Sequence, residues 1–172
     1  MDKNVHMLNV LEKFFEKARG RKLVAMEFLR LGIKVNGKGK IYAGSIELPP
    51  VKIARALGVD RRVVIETAHA IATNEKLLHI FYRLEPRAFI GNAAKELGFD
   101  VVEIRADPKR KGIVVAVTKV LADAGIVIRQ VISDDPDLFP NPVLTVVVDG
   151  KLNAVVIKKL KELTFTHEIL IK

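Results

Sequence analysis

Arg61 and Arg62 directly follow Asp60. A helix starting there carries two guanidinium groups in its first turn, from which side chains reach phosphates or base edges. Asp60 suits the preceding position, where a carboxylate accepts from the N–H groups at the helix start. The candidate DNA contacts are Arg55, Arg61, Arg62, Ile65 and His69. An apolar Ile65 can meet a thymine methyl, whereas Glu66 would repel phosphate. A second cluster surrounds Gly112, which stands between a predicted strand and a predicted helix. Glycine lets the backbone come close to a small ligand, and the N–H groups of Gly112 and Ile113 at a helix start favour a carboxylate. Arg110 or Lys111 supplies a counter-charge, and Asp134 an acceptor for an ammonium group.

Other constellations carry less. Gly32 and Gly37-Lys38-Gly39 approach the phosphate-binding G-x-x-x-x-G-K pattern, but Gly39 offers no hydroxyl for magnesium and a helix precedes the glycines where a strand is needed. The loop then reads as basic and exposed, able to touch DNA backbone. His6, His69, His79 and His167 are too far apart for a local metal motif. Asp134, Asp135 and Asp137 read as a solvated Asp/Pro turn. No nucleophile stands with a base and an orienting partner at recognisable spacing. The expectation is therefore a non-enzymatic protein with no catalytic residues, no metal and no cofactor.

The elements that must position these residues follow from periodicity. Helical spacing predicts helices over 5–15 and 21–31, with Gly32 as a stop, a turn over 34–40 and a short strand at 41–43. Helices are expected from Pro50 to Leu57 and from Arg61 to about Thr73, with Gly58 in the turn between them. Residues 76–83 read as a wing strand or as core. From residue 99 the pattern becomes strand, helix (113–124), strand (126–132), strand (143–148), helix (152–163) and strand (165–171). This is the ferredoxin-like βαββαβ order. The expected fold class is α+β, with a mainly helical, winged helix-turn-helix-like domain over 1–98 and a ferredoxin-like domain over 99–172.

Two resemblances rest on these stretches. Pro50 to Ala70 resembles the helix-turn-helix of bacterial and archaeal transcription regulators. Such geometry also occurs in plain helical cores and protein contacts. Asp107-Pro108, Gly112-Ile113-Val114, Val117-Thr118, Val120-Leu121-Ala122 and Ala124 to Ile128 resemble the ACT domain, a small ferredoxin-like module that senses amino acids. The whole chain is similar to archaeal ACT-containing regulators of amino-acid metabolism. The resemblance adds Asp107 and Val127 to the ligand-site candidates. It differs at Lys109-Arg110-Lys111, a basic insertion in the loop, and at Val127, where many ACT domains place an asparagine. It implies a homodimer or higher homo-oligomer, in which an amino acid lies at the subunit interface.

Charge agrees with a division of labour. Residues 1–98 hold 18 Lys and Arg against 10 Asp and Glu, while residues 99–172 hold 11 against 10. A basic front beside a near-neutral half points to a polyanion, most simply DNA, as partner of the front alone. No apolar run approaches the roughly 20 residues a bilayer span needs, and the first residues do not begin a signal peptide. The expected setting is cytoplasmic, without a membrane partner. The resulting expectation is a DNA-binding, amino-acid-responsive regulator. Its alternative is a regulatory subunit that docks on a biosynthetic enzyme and does not bind DNA.

Overall fold

The computed structural model describes residues 7–107, 110–164 and 166–172. The chain is α+β and divides into two compact units, Met1–Ala88 and Phe89–Lys172. The break comes ten residues earlier than charge and pattern suggest. The earlier break leaves the charge contrast intact: residues 1–88 carry 17 Lys and Arg against 9 Asp and Glu, and residues 89–172 carry 12 against 11. Of the positions singled out in the sequence, Val5, His6, Pro108, Lys109 and Phe165 lie outside the described residues.

The first unit runs α1 (Met7–Phe15), α2 (Arg19–Leu31), β1 (Lys34–Val35), β2 (Ile41–Ala43), β3 (Ile46–Glu47), α3 (Pro50–Leu57), α4 (Arg61–Thr73) and α5 (Glu75–Phe81). Val24, Ala25, Phe28 and Leu29 put one face of α2 in the core, and Gly32 ends the helix with φ 65°. A Cβ on Gly32 would stand 2.4 Å from the Glu85 carbonyl oxygen, so both conformation and close packing select glycine there. The β1–β2 turn is organised by Asn36, whose Oδ1 accepts from the N–H groups of Lys38 and Lys40. Glu47 accepts a hydrogen bond from Lys40 Nζ at 3.0 Å, and that bond, aided by the carboxylate charge, holds the ammonium above the usual lysine range.

Residues 76–83 form no wing strand. Asn74 caps α5 by accepting from the Leu77 N–H at 3.0 Å, and Leu77 and Phe81, four residues apart, bury one helical face. The three-stranded antiparallel sheet β1-β2-β3 instead precedes α3. Each large apolar side chain buried in this core, such as Phe28 or Ile71, contributes about 1.5–3 kcal/mol.

The second unit runs β4 (Phe99–Ala106), α6 (Ile113–Asp123), β5 (Ile128–Ser133), β6 (Leu144–Asp149), α7 (Ala154–Lys161) and β7 (Thr166–Ile171). The strands form one antiparallel sheet in the order β5-β6-β4-β7. Val117 and Leu121 of α6 and Val156 and Leu160 of α7 pack with Val102, Ile104, Val146 and Val148 in one core. Both helices thus share one sheet face. The alternation in β4 decides that face, because its inward residues are two apart.

Strand β6 is buried over Leu144–Val148, on both faces. On the face away from the helices, Ala94 packs against Val101 and Val147, with Ile90 and Phe99 beside them. The Ile90 N–H donates to Gln130 Oε1 at 3.1 Å. These contacts explain why residues 89–98 belong to this unit. Val146 and Val148 belong to the other face and lie in the core beneath the helices. Val127 and Val131 are exposed, at 58% and 40%.

Candidate functional site

Two places gather the residues singled out by the sequence. In the first unit, Gly58 ends α3 with φ 65° and the N–H of the next residue, Val59, donates back to the Ala54 carbonyl, which turns the chain sharply into α4. Asp60 caps α4, its Oδ1 accepting from the Arg62 N–H at 2.7 Å. Val64, Thr67, Ala68 and Ile71 are buried, so the opposite stripe of α4 faces solvent. Arg62, Ile65, Glu66 and His69 lie on that stripe at helical spacing, with Arg61 exposed in the first turn. Ile65 is 46% exposed. Arg55 is exposed on the last turn of α3. Glu66 does not stand alone, because it pairs with Arg21 of α2. Its charge is thereby offset within the fold.

In the second unit, a cleft of about 240 Å³ opens at one end of the sheet. Ile104 and Ala106 at the end of β4, Ser133 at the end of β5 with Asp134 just after it, Leu144 at the start of β6 and the first turn of α6 surround it. The registers Ile104↔Leu144 and Ser133↔Leu144 bring these strand ends together. Gly112 precedes α6 with φ 86°, and no side chain caps the helix. Arg110, Gly112, Ile113 and Asp134 all line this cleft. They meet within one chain, so the cleft forms without the second subunit that the resemblance to the ACT domain implies for an amino-acid site. Antiparallel pairing accounts for it: β4 and β5 both run toward the end at which β6 begins.

Asp134 is fixed at the rim. Its N–H donates to the Val143 carbonyl at 3.0 Å, and its Oδ2 accepts from the Val143 N–H at 3.1 Å. Oδ1 has no protein partner among the described residues. The neighbouring Asp135 shapes the turn, accepting from the Asp137 N–H at 2.8 Å through Oδ1. No group of His, Asp or Glu that could hold a metal occurs among the described residues.

Three candidates stay out of the cleft lining. Asp107 is exposed, its carbonyl accepting from the Arg110 N–H at 3.0 Å, and so shapes the loop. Lys111 is exposed beside Gly112. Val127 precedes β5, whereas the cleft lies beyond the other end of that strand, so Val127 does not reach it. The sequence reading missed the apolar wall, notably Val114, Val115 and Val143. The β-branched run Ile113-Val114-Val115 was its signal: a first helical turn with three apolar residues in succession cannot bury all of them in one core. Val115 is 69% exposed.

The arrangement offers a guanidinium, backbone N–H groups at a helix start, a carboxylate oxygen and an aliphatic wall within one cleft. That combination suits a small zwitterion with an apolar side chain. No protein-family model matches the chain, and no curated protein matches it.

Proposed function

We propose that this chain is an amino-acid-responsive regulator whose basic first unit contacts DNA through α4 and whose second unit is ACT-like and takes a small amino acid. The observation that carries the reading is the cleft that gathers Arg110, Gly112, Ile113 and Asp134 at the end of the β5-β6-β4-β7 sheet. The strand order and the two helices on one face support a ferredoxin-like description of that unit. The tight α3–α4 turn, the capped start of α4 and the Arg61/Arg62 pair support a helix-turn-helix description of the first. The resemblance to ACT regulators favours a homodimer, and the exposed Val127 and Val131 beside the β5 edge and Leu170 on the β7 edge are the surfaces it would use. No helix among the described residues is long and apolar enough to cross a membrane.

A second reading has one observation in its favour. Ile65 and the ion-paired Glu66 occupy the middle of the exposed α4 stripe, a composition that fits a protein surface better than phosphate. In that reading the chain is a regulatory subunit docked on a biosynthetic enzyme.

Calorimetric titration of the twenty amino acids, joined to DNA binding measured across salt concentrations, tests both. A ligand at about 100 times its dissociation constant stabilises the protein by roughly 2.7 kcal/mol. Contact with several phosphates gives a steep fall of affinity with salt. Replacing Arg61 and Arg62 with alanine flattens that slope by about one to two units if α4 makes the contacts. Absence of salt-dependent binding leaves the docking reading, and absence of heat with every amino acid removes the sensing half of the proposal.

A further inference from the structure

The β1–β2 turn is seated between two helices. A Cβ on Gly39 would lie 3.8 Å from the backbone of Ala68 and His69 in α4, and one on Gly37 would lie 3.9 Å from Leu78 Cδ2 in α5. Asn36 closes the turn from within by accepting from two of its N–H groups. Lys38 sits between the two glycines and is exposed. Beside the turn is a shallow depression of about 260 Å³, lined by Gly37, Leu78, His79, Tyr82 and Arg83. Tyr82 is 57% exposed there.

The cations around this depression lack carboxylate partners among the described residues, unlike several others of the unit. Lys40, Arg21 and Lys22 each have a carboxylate partner in Glu47, Glu66 and Glu12. Lys38 and Arg83 have none among the described residues, and neither do Arg61 and Arg62. An unpaired guanidinium and ammonium beside a phenol and an imidazole form a donor set suited to phosphate oxygens.

Position along α4 supplies the second argument. Arg61 and Arg62 begin the helix, and the turn meets it at Ala68 and His69. At a rise of 1.5 Å per residue the start of the helix and the point where the turn meets it are about 11 Å apart along the axis. The major groove of B-DNA is about 12 Å wide. The exposed stripe of α4 lies between these two positions.

The geometry points to a second phosphate-contact site, formed by Lys38 on its glycine-flanked turn with Arg83, Tyr82 and His79, which grips the groove rim opposite the one held by Arg61 and Arg62. The partner is the backbone of duplex DNA, and the inference rests on the DNA-binding reading of α4. The turn acts as a wing that precedes the helix pair in the chain. Gly39, with φ 72°, supplies the left-handed backbone of the turn, and Asn36 keeps it in shape without help from a ligand.

The test uses the full chain, a random-sequence DNA duplex and fluorescence anisotropy at several salt concentrations. Lys38→Ala/Arg83→Ala is expected to reduce the slope of log affinity against log salt by about 1.8, a loss worth roughly 30-fold between 1 M and 0.15 M salt. Lys13→Ala/Lys17→Ala removes the same net charge from exposed positions on and just after α1 and is expected to leave the slope unchanged. Circular dichroism of each variant checks that the fold persists. A reduced slope in Arg61→Ala/Arg62→Ala with an unchanged one in Lys38→Ala/Arg83→Ala overturns this site and keeps α4 as the contact element. An equal loss in the Lys13/Lys17 control overturns it as a bulk charge effect. Wild-type protein without salt-dependent binding removes this inference and the reading beneath it. Duplex RNA bound as tightly, with the same dependence on Lys38 and Arg83, overturns the groove geometry, because the deep, narrow major groove of RNA does not admit a helix.

Discussion

Gly112 separates two effects that a single substitution usually mixes. Its φ of 86° is left-handed, so any L side chain there costs about 1–2 kcal/mol. A Cβ on Gly112 meets nothing within 4 Å, so no steric cost is added. Gly112→Ala therefore loses only the backbone preference, and for a domain of this size each kcal/mol lowers Tm by about 4–8 °C. Gly112→Asp carries the same strain, eased because aspartate tolerates this conformation better than most residues. Its carboxylate also stands at the start of α6, where a negative charge is favourable by about 0.3–1 kcal/mol. The aspartate variant should thus be at least as stable as the alanine variant. Ligand binding should run the other way. Two carboxylates about 4 Å apart repel by roughly 1–4 kcal/mol between the dielectric of water and that of a protein surface, which is about 5- to 1,000-fold in affinity. Differential scanning calorimetry gives the stabilities, and isothermal titration of the amino acid that binds wild type gives the affinities. Equal affinity in the two variants, or weaker binding by the alanine variant, would show that no ligand carboxylate lies at the start of α6.

Other consequences follow from glycine packing, capping and the sheet edges. Gly32 and Gly58 share a φ of 65°, but only Gly32 faces backbone, with 2.4 Å between a built Cβ and the Glu85 oxygen. Gly32→Ala should destabilise the first unit well beyond the roughly 1–2 kcal/mol expected of Gly58→Ala, and equal urea midpoints would refute the close-packing argument. Asp60→Ala removes the carboxylate that caps α4 and should cost about 0.5–2 kcal/mol by chemical denaturation; no loss would mean that solvent satisfies the Arg62 N–H equally well. If Val127, Val131 and Leu170 mark edges that pair between two copies, light scattering at micromolar concentration should give a dimer, and Val131→Lys should shift it toward monomer. A wild-type monomer would refute the pairing.

Periodicity was informative wherever one face of an element is buried. The helix from Arg61 to Thr73 and the strand around Val102 and Ile104 follow directly from apolar residues at helical and alternate spacing. It left residues 76–83 open between a wing strand and core, and the core alternative holds. There Leu77, Leu78, Ile80 and Phe81 form a short apolar run that fits either a strand or a buried helix, and length alone is ambiguous at seven or eight residues. The deciding signal was Asn74, whose side chain caps a helix and has no such use in a strand. The break at residue 98 failed for a different reason. Residues 89–98 have little regular structure, and their allegiance is set by Ala94 and Ile90 packing on the far face of the sheet. Contacts between residues far apart in sequence leave no local period.

The cleft was half legible for the same reason. Gly112 announced a helix start without a side-chain cap, because only backbone that adopts a left-handed φ gains from glycine there. Asp134 announced nothing by itself, being one of three aspartates in an Asp/Pro turn. What joins the two is the strand order. Once β6 pairs with both β4 and β5, the ends of β4 and β5 must flank the start of β6, and Asp134 follows the end of β5 just as the Gly112 loop follows the end of β4. The same topology excludes Val127, which precedes β5 and so belongs to the opposite end of the sheet. Position along the strand decides membership in the cleft more strictly than side-chain chemistry does: Lys111 has the right charge and stays outside, while Val114 and Val115, without charge, form the wall. That wall limits what can bind as firmly as the charged groups do. A ligand with a polar side chain would place it against Val114, Val143 and Leu144 without a hydrogen-bond partner, at a cost of about 1–3 kcal/mol, so aliphatic zwitterions should bind better than their hydroxylated or amidated counterparts by roughly 5- to 150-fold. Titration of valine against threonine, nearly equal in shape, isolates that difference, and tighter binding of threonine would place the side chain away from the aliphatic wall.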